Sequence, residues 1–142
     1  MARRAIDWSE DLAGAVERAG PSVLRVARGR HGTSATVWDA AAGLVVTTHH
    51  AVGGEDTAQL TLPGGEERAA RVVGRDPGTD LALLRTDPAG LQAIARSDGA
   101  GLKVGHACLA LGRPGLSVRA SLRIVGVLGP EVRTPWGGRL DR

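Results

Sequence analysis

The sequence predicts an all-β fold, a barrel or sandwich of short strands preceded by one short helix. Two observations lead to this prediction. Short apolar segments rich in β-formers recur at regular spacing between turn residues, which is typical of barrels and sandwiches. The 21 glycines of the 142-residue chain supply the tight turns that such strands need. With 42% apolar and 23% charged residues, the composition is that of a globular domain rather than a disordered chain.

Residues 1–20 are predicted to form a helical lead. Asp7 and Glu10 have the spacing of a capping box at a helix start. Four residues then fall on one helical face: Leu12, Ala15, Val16 and Ala19. Gly20 followed by Pro21 is a helix-ending pair. No apolar segment follows the basic residues near the N-terminus, so no signal peptide is predicted, and no segment approaches the roughly 18 apolar residues of a membrane span.

Strands are predicted from residue 21 onward. The segments concerned are 22–28, 33–38, 44–48, 58–62, 69–74, 81–84, 105–112 and 118–124. The last segment is the clearest, because apolar and polar residues alternate strictly along it. The composition changes around residues 97–101, which we interpret as a linker. The predicted domains are therefore residues 21–98, a first β-barrel, and residues 99–142, the opening strands of a second unit.

The aromatic and charge content argues against a nucleic-acid-binding module. Three Trp are the only aromatic residues, which is too few for a surface that stacks bases. From Arg113 to Arg142 the sequence has six arginines and only two acidic residues, Glu131 and Asp141. Scattered arginines on the solvent face of a strand and its loop explain this bias better than a nucleic-acid patch does.

Two segments place a titratable side chain beside an apolar strand. His49 and His50 follow the predicted strand 44–48, and Asp80 precedes the predicted strand 81–84. A serine hydroxyl is a weak nucleophile that needs an adjacent base, and imidazole titrates near neutral pH. The imidazole in turn needs a buried carboxylate that fixes its tautomer. His50 and Asp80 fit these two roles, the base and its orienting partner.

Three motifs stand in order along the chain: Thr-Thr-His-His-Ala-Val at 47–52, Asp-Pro-Gly-Thr-Asp-Leu-Ala-Leu at 76–83, and Leu-Lys-Val-Gly with Ala-Leu-Gly-Arg-Pro-Gly within 102–115. Together they resemble the HtrA family of trypsin-like serine proteases. The corresponding family motifs are Thr-Asn-X-His-Val-Val, Asp-Pro-X-X-Asp-Leu-Ala-Leu, and Leu-X-Val-Gly with Ala-X-Gly-X-Pro-X-Gly. The resemblance covers most of the chain, and the order of His before Asp is also that of chymotrypsin.

The resemblance implies a trypsin-like double β-barrel, the first barrel complete and the second truncated. It implies a serine endopeptidase that hydrolyses peptide bonds of proteins, unfolded ones among them, through an acyl-enzyme. His50 would be the general base and then acid, and Asp80 its orienting carboxylate. Protein or peptide would be the substrate, and no cofactor or metal is implied. Family members are often extracytoplasmic; the compartment of this protein and homo-oligomer formation by the full-length protein stay open.

The sequence departs from the family pattern around the site. Ala35 stands where family members have Gly, and Ala51 replaces a Val, changes expected to loosen the barrel near His50. The family's Gly-Asn-Ser-Gly-Gly-Pro segment, which carries the nucleophile and the oxyanion-hole backbone, has no counterpart in the 142 residues. We therefore expect this chain to represent the N-terminal portion of such a protease and to be inactive by itself.

The serines after Asp80 do not replace that segment. Ser97 lies in the turn sequence Ser-Asp-Gly, and Ser117 and Ser121 belong to the region of the last predicted strand. None has the Gly-X-Ser-Gly context that exposes a nucleophile beside backbone N–H donors. A second interpretation of the chain is accordingly a non-catalytic pseudo-protease or a peptide- or protein-binding module.

A metal site is a weaker alternative for the two adjacent histidines. Zinc takes three or four ligands, and the other candidates are distant in the sequence: Cys108, His31 and His106. Neighbouring residues of a strand also point to opposite faces, so His49 is expected on the solvent side. Cys108, the single cysteine, lies in an apolar run, which predicts a small core residue without a disulfide.

Overall fold

In the computed structural model, which describes residues 2–28, 31–129, 131–135 and 137–141, a helix precedes a series of short β-strands. In chain order the elements are α1 (Ala2–Ala19), a 3-10 turn (Gly20–Ser22), β1 (Val23–Arg28), β2 (His31–Asp39), β3 (Leu44–Thr48), α2 (His49–Val52), β4 (Thr57–Thr61), β5 (Glu67–Asp76), β6 (Leu81–Arg85), β7 (Ala107–Gly112), β8 (Arg119–Ile124), β9 (Glu131–Arg133) and β10 (Arg139–Asp141). No helix formed by these residues is long and apolar enough to span a bilayer.

Helix α1 begins earlier than the sequence predicted. It runs over Ala2–Ala19, so Asp7 and Glu10 lie inside it and the expected capping box is wrong. The Ala and Arg residues before Asp7 are good helix formers, and the helix continues through them. The predicted end of the helix is confirmed, because Gly20 opens the 3-10 turn and Pro21 is its second residue.

Strands β1 to β6 form a closed barrel, as the all-β prediction required. Their order around the barrel is β1-β2-β3-β6-β5-β4, every pair is antiparallel, and β1 pairs with β4 to complete the ring. Two ladders contain a register shift, one between Val37 and Asp39 and one between Val72 and Gly74. Such bulges bend a strand, and bending is what closure of a small barrel needs.

The barrel interior is filled by alternate side chains of its strands. The most deeply buried are Leu24, Val26, Val37, Val45, Leu60 and Leu84. Ala35 belongs to the same core and pairs with Leu24 across the β1–β2 ladder. The segment 81–84 is only half buried, because Leu81 points outward with 44% exposure while Leu84 points in. Each fully buried Leu or Val contributes about 1.5–3 kcal/mol, so these side chains hold the barrel together.

The chain after β6 forms two smaller two-stranded sheets. From residue 86 to 106 it has no regular strand, and it follows the barrel surface through the N–H of Ile94, which donates to the Val37 carbonyl (2.9 Å). Strand β7 pairs with β8, and β9 with β10. Every residue of β8 is exposed. Cys108 in β7 is only partly buried, less than the sequence predicted.

Arg113 joins three parts of the fold. Its Nε donates to the Val23 carbonyl (2.6 Å), its Nη2 to the Gly20 carbonyl (3.0 Å), and its Nη1 to the Leu116 carbonyl. Its own N–H donates to Ser34 Oγ (2.8 Å). The residue is only 5% exposed, and burial lowers the pKa of its guanidinium. The expectation that Arg113 is one of several solvent-facing arginines is therefore wrong. Its guanidinium can be buried because three carbonyl groups accept the hydrogen bonds that water would otherwise accept.

Candidate active site

The β3–β6 ladder brings His50 and Asp80 together. Thr48, the last residue of β3, pairs with Leu81, the first residue of β6. The residues that follow β3 therefore lie beside those that precede β6. The first contact is between backbones, since the N–H of His49 donates to the carbonyl of Asp80 (2.9 Å). Antiparallel register thus explains why residues thirty positions apart in sequence share one site.

The Asp80 carboxylate then binds His50 through both of its oxygens. Oδ1 accepts the backbone N–H of His50 (2.9 Å), and Oδ2 lies 2.6 Å from the imidazole Nδ1. The side chain of Asp80 is 20% exposed, whereas that of His50 is 68% exposed. The carboxylate is largely shielded from solvent. The imidazole is held by its Nδ1 atom, while the rest of its ring is accessible to solvent, which is the arrangement that a general base needs.

A tight turn presents the Asp80 carboxylate. Asp80 has φ = 58°, in the left-handed region, which Asp tolerates better than most residues. The carboxylate of Asp76 accepts the N–H of Gly78 (3.0 Å), and the N–H (3.3 Å) and hydroxyl (2.6 Å) of Thr79. The turn that leads into Asp80 is therefore tied together from within by Asp76.

Hydrogen bonds lower the pKa of both turn carboxylates. For Asp80 the main cause is the backbone N–H of His50, with further contributions from the His50 side chain. For Asp76 the main cause is the hydroxyl of Thr79, followed by the Thr79 N–H. Donors that bind the ionised form favour it, so both groups are carboxylates over a wider pH range than free aspartate is.

A cleft of about 350 Å³ opens beside the pair and is lined by His49, His50, Pro77 and Asp80. The residues of one sequence motif, 47–52, and of another, 76–83, thus meet at one cleft at the barrel rim. Within the portion of the chain that the structure describes, no group of three or more His, Cys, Asp or Glu side chains is arranged to hold a metal ion.

Comparison with known proteins identifies the family of the chain. The trypsin-like peptidase domain family matches residues 33–136. The periplasmic serine endoprotease DegP of Salmonella typhimurium is 39% identical over 98 residues, which are 68% of this chain and 21% of that protein. The chain belongs to the HtrA-type trypsin-like serine proteases. It spans about a fifth of the length of the curated relatives that it matches.

The fold is also similar to those of solved structures. AlgW, an HtrA-type protease solved with a tripeptide, superimposes with a TM-score of 0.72 at 33% identity, over 87% of this chain and 41% of that one. Deg5 superimposes with a TM-score of 0.78 at 26% identity, over 94% of this chain and 70% of that one. The predicted trypsin-like fold class and HtrA resemblance are thereby confirmed.

His49 does not lie where the sequence predicted it in this HtrA-type chain. It was expected on the solvent side of a strand, but the chain leaves β3 at Thr48 and enters α2 at His49, so strand alternation no longer applies. His49 is half buried, and its Nδ1 is buried without a hydrogen-bond partner among the described residues. His50, the second residue of α2, is the exposed member of the pair.

The serines of the HtrA-type chain have other contacts. Ser97 Oγ accepts the N–H of Gly99 (3.1 Å), in agreement with its predicted turn role, and Ser34 Oγ accepts the N–H of Arg113. Ser117 and Ser121 are exposed. No serine hydroxyl among the residues described is hydrogen-bonded to His50, whose imidazole is bound by Asp80.

Sequence reasoning missed the role of Asp76. The sequence motif alone assigns no role to the first Asp of Asp-Pro-Gly-Thr-Asp, whereas in the structure its carboxylate accepts the hydrogen bonds at the centre of the turn. A signal was available, because Asp before Pro-Gly is a turn sequence in which the carboxylate binds N–H groups two and three residues later.

Proposed function

We propose that this chain supplies the His and Asp of a catalytic triad in an HtrA-type serine endopeptidase. His50 takes the proton of the nucleophilic serine and later delivers it to the leaving amine. Asp80 fixes the imidazole with Nδ1 protonated and stabilises the imidazolium that forms. The substrate is the peptide bond of a protein or peptide, and unfolded proteins are the expected class.

The observation that carries the proposal is the contact between His50 Nδ1 and Asp80 Oδ2, at 2.6 Å. Nε2 is then the second imidazole nitrogen, not bound by any residue that the structure describes, on a ring that is 68% exposed beside the cleft. That is where a serine hydroxyl and a peptide would have to approach. Both residues also occupy the motif positions that are catalytic in the family, which supports the same roles.

The proposal assigns the closed barrel to a first domain, residues 21–98, and residues 99–142 to the opening strands of a second barrel. We do not expect the serines of this chain to supply the nucleophile beside an oxyanion hole, because none of them has the Gly-X-Ser-Gly sequence context. The 142-residue chain by itself is therefore expected to leave casein intact, because nucleophile and oxyanion hole together carry most of the rate.

The experiment begins with the coding region beyond Arg142. We expect the reading frame to continue into a Gly-X-Ser-Gly-Gly segment, and the encoded full-length protein to hydrolyse casein. Asp80→Asn should lower kcat about 10⁴-fold, and His50→Ala about 10⁶-fold. His106→Ala is the matched control, because His106 is an exposed imidazole outside the cleft, and it should have no effect. Full activity in His50→Ala would refute the assignment.

A non-catalytic peptide-binding module is the second candidate. It is favoured by one observation, that no serine hydroxyl of the described residues binds His50. A stop codon directly after Arg142 in an intact gene would support this candidate. So would retention of peptide binding, measured by titration calorimetry with a denatured substrate, in a chain that never shows hydrolysis.

A further inference from the structure

The turn that presents Asp80 is contacted by a segment much later in the chain. Thr134 follows β9, and its hydroxyl donates to the carbonyl of Gly78 (2.5 Å). The same oxygen accepts the N–H of Gly138 (2.9 Å), one residue before β10. A single hydroxyl therefore links the connection between β9 and β10 to the turn between Asp76 and Asp80.

The hairpin also approaches the turn so closely that a side chain would not fit. A Cβ added to Gly138 would lie 2.1 Å from the Gly78 carbonyl oxygen and 2.9 Å from the Thr79 nitrogen. Both atoms belong to the backbone, which cannot move aside as a flexible side chain can. Gly138 thus permits backbone-to-backbone contact at the point where Thr134 makes its hydrogen bond.

The contact with Thr134 falls on Gly78, two residues before Asp80. Asp80 has a left-handed backbone, φ = 58°, which a non-glycine residue adopts only where its surroundings hold it. Asp76 binds the N–H groups of Gly78 and Thr79 from one side. Thr134 binds the carbonyl of Gly78 from the other. The peptide groups of the turn are therefore held at both their donor and their acceptor ends.

We propose that Thr134 is a positioning residue for the His50–Asp80 pair, acting through the carbonyl of Gly78, and that Gly138 provides the close approach it requires. The hairpin that carries Thr134 thereby controls how well the Asp80 carboxylate is aligned with the imidazole. The catalytic meaning of this control rests on the proposed function. The structural coupling does not, since it can be measured on the pair itself.

The test uses NMR on the 142-residue chain. The two readouts are the Nδ1–H proton of His50 and the pH titration of the ¹³C-labelled Asp80 carboxyl. In Thr134→Val we expect the Nδ1–H proton to exchange with water about threefold faster or more, and the pKa of Asp80 to rise toward its ordinary value. Thr134→Ser keeps the hydroxyl and should behave as the parent does. Parent-like readouts in Thr134→Val would overturn the proposal.

A second pair of variants keeps the test decisive if Thr134→Val folds poorly. Gly138→Ala forces a Cβ into the turn, whereas Gly126→Ala places one where no atom lies within 4 Å. We expect Gly138→Ala to reproduce the changes at His50 and Asp80, and Gly126→Ala to leave them as in the parent. Amide protection of Leu44 to Thr48 reports that the barrel itself is intact. Identical Asp80 titrations in the two glycine variants would defeat the proposal.

In the full-length protease the expected effect of Thr134→Val is a lower kcat with an unchanged KM, because the base is misaligned and the substrate contacts are not touched. Thr134→Ser should restore the rate. The two hypotheses fail separately. Casein hydrolysis that survives Asp80→Asn would refute the proposed function, whereas an Asp80 titration that does not respond to Thr134→Val would refute the positioning role.

Discussion

Asp80 binds His50 at two points, the backbone N–H through Oδ1 and the imidazole Nδ1 through Oδ2 at 2.6 Å. One carboxylate thus fixes both the backbone of His50, the second residue of helix α2, and the orientation of its ring. The first contact orders the backbone, and the second selects the tautomer. Because different oxygens make these contacts, a single isosteric substitution can separate them.

Asp80→Asn is predicted to change the His50 tautomer while it preserves the fold. The amide oxygen can still accept the His50 N–H, but the amide NH₂ then faces Nδ1 and requires it to be an acceptor. The ¹⁵N shifts of the ring at neutral pH should therefore report a proton on Nε2 instead of Nδ1. His106 serves as the internal control, and a His50 ring that keeps its Nδ1 proton would contradict the prediction.

Acid is predicted to destabilise the turn between Asp76 and Asp80. Both carboxyls have a lowered pKa in the folded chain, so each stabilises it fully above the pKa of the unfolded state. That stabilisation is lost as the pH falls through the lowered pKa. Urea unfolding at pH 6, 5, 4 and 3 should show a free energy of unfolding that decreases below about pH 4.

The matched variants for this acid effect are Asp76→Asn and Asp11→Asn. Asp76→Asn removes a carboxylate that accepts three hydrogen bonds, so its stability should depend less on pH than that of the parent. Asp11 lies on the exposed side of α1, and its variant should follow the parent curve. If both variants keep the parent slope, the turn carboxylates are not the source of the effect.

The later strands are predicted to exchange their amide protons faster than the barrel does. Strand β8 is exposed along its whole length, and Leu122 and Ile124 leave an apolar stripe open to solvent at 48% and 59% exposure. Elements with few buried contacts open at low free energy. Hydrogen exchange should be fast after Gly99 and slow for Leu44 to Thr48 and Leu81 to Leu84. Equal protection in a monomer would show that both parts form one cooperative unit.

Arg113→Met is predicted to lower the free energy of unfolding by about 2–4 kcal/mol. The substitution fills much of the same volume but removes the Arg113 donor from the carbonyls of Gly20, Val23 and Leu116. The Gly20 carbonyl keeps a second donor, the N–H of Val23. Arg113→Lys should recover little, because one ammonium group cannot reach three carbonyls. Arg119→Met, at an exposed position of β8, is the control for lost charge. Equal unfolding temperatures for Arg113→Met and Arg119→Met would contradict the structural role of Arg113.

The sequence predicted the elements that depend on local pattern. Strand β3 was expected at 44–48 and is found there, because a turn at Gly43 precedes it and a helix begins at His49. The pairing of His50 with Asp80 followed from motif context. Two predictions of burial failed, one because it depends on distant contacts and one because it depends on a local change from strand to helix. The burial of Arg113 depends on carbonyls about ninety residues earlier, and His49 is half buried because the chain changes from strand to helix at that residue.

All six barrel strands, together with His50 and Asp80, lie in one uninterrupted stretch from Val23 to Arg85. Chains emerge from the ribosome N-terminus first, and domains generally fold as units during synthesis. The nascent protein can therefore close its barrel and join His50 to Asp80 while the rest is still being translated. A mutation late in the chain would then alter how tightly the pair is held, and not whether it forms.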